Sequence, residues 1–338
     1  MLLTYFQKNE QIVPRHLKDV RFDAALQRLS VELNPDKKPL SRAFFRRIIE
    51  QQKVTLNNSY VKPSIKVNFR DMIVFESEPE NAVTKEGYSD AIPVLFEDEN
   101  LLVINKPGNI AMHTASNLAA YTVADWILQH YPALKDVGED SGRPGIVHRL
   151  DKETSGVVIL AKNQKSFIEL KKVFQTREIE KKYLALVYGN LREKEGKVDL
   201  SLTRKSGELK RKAVDMNVQT KRLSGNIRTA LTYYSVIHSY DGFDLVELRP
   251  KTGRTHQIRV HLQSLGHPVV GDKLYSFKSV KNGNTLFTKR HLLHAFKATF
   301  ELFGKEYSFY APLSSDFRDA LSSVDSFSYD QILPLLEK

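Results

Sequence analysis

Two spacings of apolar residues alternate along this chain, one of about 3.6 residues and one of about 2, and their order outlines its parts. Residues 22 to 33 and 41 to 52 carry helical patterns, and Val54-Thr55-Leu56-Asn57-Asn58 follows as a short strand and turn. Residues 78 to 91 are polar, with Pro79, Gly87 and several acids, which suits a linker. Beyond them, residues 92 to 96 and 101 to 105 flank Glu97-Asp98-Glu99-Asn100 as a hairpin that Lys106-Pro107-Gly108 ends. Val123, Trp126, Ile127 and Tyr131 stand at helical spacing in and just after residues 120 to 130, with Trp126 read as core rather than as a base-stacking platform. Residues 145 to 150 and 156 to 161 read as two strands, 164 to 174 as a helix and 182 to 188 as an alternating strand. Paired strands near 228 to 238 and 243 to 249, and a last hairpin around 298 to 309, complete the pattern. Hairpins outnumber strand-helix-strand crossovers. The expected class is therefore α+β, a catalytic domain on a mixed, largely antiparallel sheet with a small amino-terminal α/β domain. The expected division is a small domain over 14 to 77, the linker 78 to 91, a large domain over 92 to 325 and a tail or short helix over 326 to 338.

Composition narrows what such a chain does. At 338 residues it can bury roughly three-quarters of its unfolded surface, enough for one large domain and one small one. It has no cysteine, so disulfides and thiolate metal sites are excluded. Among its ten histidines, His256 and His261 come nearest to a ligand pair, but five residues on a helix leave them roughly 140° apart, and a helical zinc pair wants a spacing of about four. Neither a metal nor a cofactor is expected. No apolar run reaches membrane length and the first thirty residues carry charges throughout, so the expected home is the cytoplasm, away from membranes. The net charge of +11 calls for an acidic partner, most commonly nucleic acid, though charge alone does not separate RNA from DNA or a membrane surface. Residues 204 to 228 hold eight Lys or Arg against two acids, with Lys210, Arg211 and Lys212 consecutive. That segment is either a solvated loop or an arm that tracks phosphates.

The candidate chemistry lies in His148-Arg149-Leu150-Asp151-Lys152-Glu153-Thr154-Ser155-Gly156, between two apolar runs. If residues 147 to 151 are extended, Val147, Arg149 and Asp151 share one face and His148 and Leu150 the other. Ordinary turn chemistry also accounts for an Asp here followed by Thr-Ser-Gly. The string matches HRLDxxTSG, the signature of the RluA-like pseudouridine synthases, at every specified position. The resemblance implies that Asp151 is the catalytic carboxylate and that Arg149 helps extrude the target nucleotide.

Further segments resemble the same family in the same order. Glu180 to Gly189 resembles its second motif, which implies that Tyr183 lies against Asp151; read alone, a Tyr on an alternating strand is also ordinary sheet packing. Lys251-Thr252-Gly253-Arg254-Thr255-His256-Gln257-Ile258-Arg259 resembles the third, on a helix that Thr255 would cap and that would end near Gly266. By resemblance Arg259 pairs with Asp151 and Arg254 contacts RNA or orients the site, while surface charge is the plain alternative for both. Arg290-His291-Leu292-Leu293-His294-Ala295 resembles a fourth element that usually reads R-L-x-L-H-A, which places Leu293 on the floor of a uracil pocket; His291 departs from the usual residue. Residues 14 to 77 resemble the small RNA-binding domain of a ribosomal small-subunit protein, with Arg42, Arg46 and Arg47 on its second helix, although Asn58 and Asn68-Phe69-Arg70-Asp71 depart from its pattern. A packing or tethering domain with a surface arginine stripe is the alternative there.

The resemblance implies an RNA pseudouridine synthase, an isomerase needing no cofactor, acting as a monomer on ribosomal RNA, most naturally that of the large subunit. A synthase acting on transfer RNA and a catalytically silent RNA-binding or ribosome-assembly factor of the same fold are the alternatives. A nuclease or glycosidase would need a second placed carboxylate, for which Glu153 is the neighbour at hand.

Overall fold

The computed structural model describes residues 10–35, 40–50, 54–75, 92–113, 121–203, 210–214, 227–277 and 288–324, with the side chain of Arg47 set apart. The expected linker and carboxyl-terminal tail lie outside the described residues. The chain divides into two compact units, Met1–Thr84 and Lys85–Lys338.

The first unit packs helices α1 (Phe22–Glu32) and α2 (Arg42–Glu50) with an antiparallel sheet of β1 (Glu10–Ile12), β2 (Val54–Leu56) and β3 (Met72–Phe75), in the order β1-β3-β2. Phe22, Leu26, Phe45, Ile49, Val54 and Ile73 are among the residues of its core. Strand β1 precedes the expected start at residue 14, because three residues reading Glu-Gln-Ile carry no hydrophobic alternation. The two departures from the small-domain pattern are built in. Asn57 and Asn58 both take positive φ, 50° and 60°, which asparagine tolerates better than most residues. Asp71 accepts the amide of Asn68 at 2.6 Å and the Asn57 side chain at 2.8 Å, closing the following turn.

In the second unit, the described strands form a nine-stranded mixed sheet. Its path runs β4 (Val94–Glu97), β5 (Leu101–Lys106), β6 (Ser155–Ala161), β13 (Leu293–Leu302), β7 (Glu180–Tyr188), β12 (Phe243–Pro250), β11 (Leu231–Tyr240) and β8 (Glu195–Asp199), with β14 (Lys305–Tyr310) on β13. Every pairing is antiparallel except β6 with β13. A separate pair joins β9 (Ser201–Thr203) to β10 (Lys212–Val214). Helices α3 (Val123–His130), α4 (Gln164–Thr176), α5 (Gln257–Ser264) and α6 (Ser315–Val324) pack apolar residues against the strands. Trp126 is buried in the core beside Leu150 and Val158. No described helix is long and apolar enough to cross a membrane.

Three neighbouring strands, β6, β13 and β7, carry the structure that matters for function. Gly156 takes φ +115° where β6 crosses β13, and a Cβ there would stand 2.2 Å from the Ala295 carbonyl oxygen. Only glycine lets the two main chains meet at that point.

The strand expected over residues 145 to 150 does not form. This segment touches β6 through one bridge, Ile146 to Leu160. The reason lies in His148, whose Nε2 accepts the amide of Ile159 at 2.9 Å in the place of a strand carbonyl. Gly145 carbonyl takes the amide of Ala161. The edge of β6 is thereby satisfied without a ladder, and the segment is free to turn towards Asp151. Face alternation fails with it: Leu150 goes into the core and His148 stacks on Phe174 at 4.5 Å.

Candidate active site

A cavity of about 500 Å³ opens where the signature turn, α5 and strand β7 converge. Asp151, Arg149, Tyr183, Arg254, Arg259 and Leu293 all line it, drawn from four separate segments of sequence. Asp151 is the one carboxylate among the lining residues, against Arg149, Arg177, Lys181, Lys251, Arg254 and Arg259. Such a wall suits a polyanion.

The turn that presents Asp151 is fixed from below. Thr154 amide donates to the Asp151 carbonyl at 3.1 Å. Thr154 Oγ1 meets His291 Nε2 at 2.8 Å and Ser155 Oγ meets His294 Nδ1 at 2.9 Å, so the Thr-Ser pair is tied to the start of β13. Arg290, 1% exposed, donates to the Glu153 carbonyl at 2.8 Å and to Ser155 Oγ at 3.1 Å, while its fork grips Asp316 at 2.6 and 2.9 Å. Lys106, fully buried, donates to the carbonyls of Pro107, Ile110 and Lys152. Burial, helped by the nearby Arg290 charge, pushes its ammonium down to about 7.

Helix α5 begins at Gln257 with His256, at φ 60°, as its N-cap, one residue later than the expected Thr255 and without a side-chain cap. Gln257 and His261 anchor the helix to β11: Gln257 Nε2 donates to Leu231 carbonyl and Thr232 Oγ1, and His261 Nδ1 meets that same hydroxyl at 2.9 Å. Arg259 is left to face the cavity. Its Nη1 donates to Asp151 Oδ2 at 3.4 Å, but its fork belongs to Asp272, with Nε to Oδ2 at 2.6 Å and Nη2 to Oδ1 at 2.9 Å. Asp272 is thus the partner that aims Arg259. Burial opposes the charge on both, and the mutual hydrogen bonds overcome it, holding Arg259 above and Asp272 below their ordinary ranges. His256 Nε2 stands 3.9 Å from the same Asp151 Oδ2. Among the described residues Asp151 Oδ1 has no hydrogen-bond partner.

Tyr183 reaches the cavity from β7, in register with Ala295 of β13. Burial first, and then the Asp151 charge, push its hydroxyl up, so it is protonated at neutral pH. Arg177 ends α4 in the left-handed conformation and lines the same wall. Arg254 is held down by burial and then by the charges of Arg228 and Arg177. Cations crowd here without a lining carboxylate to relieve them other than Asp151.

Glu153 points elsewhere, its Oε2 lying 3.2 Å from His291 Nδ1, and it does not line the cavity. The second carboxylate that a glycosidase needs is missing from the described lining.

Residues 100–264 match the family described as RNA pseudouridylate synthase. An uncharacterized RNA pseudouridine synthase of Aquifex aeolicus is 36% identical over 242 residues, covering 71% of this chain and 73% of the relative. Ribosomal large subunit pseudouridine synthase D of Nitrosomonas europaea is 31% identical, covering 96% of this chain and 90% of its own. The chain belongs to the RluA-like RNA pseudouridine synthases. A solved human structure, RNA pseudouridylate synthase domain containing 1, is similar to this synthase with a TM-score of 0.55 at 26% identity, covering 73% of this chain and 95% of that one.

Within this synthase, sequence reasoning left Asp272, His256, Tyr275, Arg177 and Lys181 without a role. Asp272 had a signal: an arginine on the buried flank of an apolar helix requires a carboxylate, and Gly271-Asp272 closes the same motif. Lys210, Arg211 and Lys212 do not line the cavity, though the residue 211 amide is linked through the Tyr275 hydroxyl to His256, which does. In the small unit, Arg42 pairs with Asp23 at 3.2 Å and Arg46 with Glu50 at 2.9 Å.

Proposed function

We propose that this synthase isomerises uridines of large-subunit ribosomal RNA, with Asp151 as the reacting carboxylate. One observation carries the reading: both nitrogens that approach Asp151, Arg259 Nη1 and His256 Nε2, approach Oδ2, and among the described residues Oδ1 has no hydrogen-bond partner on the wall of a basic cavity. Breaking uridine's N-glycosidic bond develops positive charge at the anomeric carbon. A fixed carboxylate stabilises that charge or bonds to it, and either route uses the freed oxygen. Uracil then turns and rejoins the ribose through carbon 5. Tyr183 meets the base as a neutral hydroxyl, so its role is a relay: it gives its proton to the uracil nitrogen released from the ribose as it takes the one that leaves carbon 5, which balances the isomerisation.

The target nucleotide must leave its stack, at a cost of a few kcal/mol. Arg149, exposed at the cavity mouth, suits the space it vacates, and Leu293 forms the apolar floor under the base. Phosphate contacts from Arg254, from the 210 to 212 segment and from Arg42, Arg46 and Arg47 of the small unit offset the cost. The ribosomal target is supported by the names of the relatives that span nearly the whole chain.

Mapping pseudouridines in total RNA from cells with and without this protein tests the target, and complementation with Asp151→Asn tests the chemistry. The expected outcome is loss of sites in large-subunit ribosomal RNA that wild type restores and Asp151→Asn does not, with turnover down by at least about a thousandfold. RNA affinity stays close to wild type. Sites lost only from transfer RNA would overturn the target, and restoration by Asp151→Asn would overturn the role of the carboxylate.

A further inference from the structure

Tyr275 is wholly buried and takes no part in the chemistry above, yet it touches each group that orients Asp151. Its amide donates to Asp272 Oδ1 at 2.9 Å, and the Arg259 guanidinium lies over its ring at 5.0 Å. Its hydroxyl stands 2.9 Å from His256 Nδ1 and 3.0 Å from the amide of Arg211, in the basic segment. Lys210 Nζ lies 5.6 Å from the centre of the same ring.

The directions of these bonds follow from chemistry. An amide only donates, so the tyrosine oxygen accepts from residue 211. The hydroxyl proton then needs an acceptor, and among the described residues His256 Nδ1 is the one within reach. A neutral imidazole that accepts at Nδ1 carries its proton on Nε2. That nitrogen faces Asp151 Oδ2 at 3.9 Å. His256 is also the N-cap of α5 in a left-handed conformation uncommon outside glycine, which the surrounding contacts must hold.

We infer that Tyr275 is a positioning residue: its hydroxyl, held by the main chain at residue 211, fixes the His256 proton on Nε2 opposite Asp151 Oδ2. The inference rests on Asp151 being the reacting carboxylate. Its consequence is that His256 and Arg259 engage one oxygen together and leave the other free, and that the basic segment and the carboxylate are assembled through one side chain. The charged groups facing His256 are Asp151, Arg259, Arg211 and Asp272. Burial pushes the imidazole down first, Asp151 and Asp272 oppose, and the two arginines add to the lowering, so it is neutral when the tyrosine donates to it.

The test reads the two ring nitrogens directly. In the full chain labelled with nitrogen-15, the His256 resonances, assigned through His256→Gln, should report the Nε2–H tautomer at neutral pH. Tyr275→Phe keeps the ring under Arg259 and removes the hydroxyl; the tautomers should then mix and the imidazole should protonate at higher pH. Turnover should fall about tenfold with KM within about twofold, and in a His256→Gln background the same substitution should cost less than about twofold more. A wild-type His256 protonated on Nδ1, unchanged tautomers in Tyr275→Phe, or additive losses in the double mutant would each overturn the inference. If Tyr275→Phe folds poorly, the wild-type nitrogen shifts alone decide it. An active Asp151→Asn would remove the reading of the carboxylate and leave the tautomer result standing, whereas an inactive one beside an Nδ1–H His256 would remove this inference alone.

Discussion

Arg259 grips Asp272 with neither side chain more than 8% exposed, whereas Arg46 reaches Glu50 with both more than half exposed. The two pairs use the same atoms for different ends. In the buried fork, both ions have left water, and the pair stands because two short hydrogen bonds and the main-chain amides of Leu274 and Tyr275 satisfy the carboxylate. The gain is direction: a planar guanidinium with two of its three nitrogens committed presents the third to one place, and that place is Asp151. On the small unit, solvent and salt screen the contact, and Arg46 can exchange its partner for another anion at little cost. A buried ion pair in this molecule fixes a direction, and an exposed one leaves its arginine able to change partners.

Breaking the buried fork should show the largest effect. Asp272→Asn leaves Arg259 charged and half-paired, and should cost about 3–5 kcal/mol of stability in chemical denaturation together with most turnover. Replacing both, as Arg259→Met with Asp272→Leu, should recover stability without recovering turnover; recovery of both would show that the fork does not aim Arg259.

Lowering the pH sharpens the comparison through buried groups alone. Burial holds His148 down to about 3 and His294 down to about 4, from an ordinary 6.5. Between those values and 6.5 the unfolded chain binds more protons than the folded one, so stability rises with pH across the window and falls on acidification from about 6.5. Asp272, held below its ordinary 3.8, adds stability above that value that is lost only at still lower pH. Unfolding free energies followed from pH 7.5 to 5 should drop by roughly 2 kcal/mol per pH unit below 6, since each of the two imidazoles contributes up to about 1.4. A flat profile would mean these imidazoles titrate freely.

The smallest effect belongs to the surface. Arg46→Ala should leave the denaturation midpoint unchanged and reduce the slope of log affinity for RNA against log salt by about one. An unchanged slope would confine the small unit to packing.

Much of the fold was legible because its elements are strongly periodic: the hairpin of β4 and β5, helix α4 and the strands β7, β11 and β12 lie within a few residues of where apolar spacing puts them. What periodicity misread was the segment before Asp151. Ile146, Val147 and Leu150 are apolar in the manner of a strand, but a histidine side chain occupies the ladder position, and spacing rules treat a side chain only by its polarity. At the site, residues of the motifs were found and their long-range partners were not. Nothing local in Arg259 says whether its fork meets Asp151 or Asp272, since that depends on how the loop after α5 folds back. Tyr275 was invisible for the same reason: its contacts come from residues 210 and 211, 256, 259 and 272, which only the folded chain assembles.

Gly156 and Ala295 meet main chain to main chain, the one just past the turn that carries Asp151 and the other two residues from Leu293 along β13. The separation between Asp151 and Leu293 is therefore a gauge cut in peptide geometry as well as in side chains. Rotamers relax to admit a larger guest; two touching backbones do not. With the proposed roles of Asp151 and Leu293, a base bearing one extra methyl should react more slowly, and Gly156 is the residue at which that limit would be set.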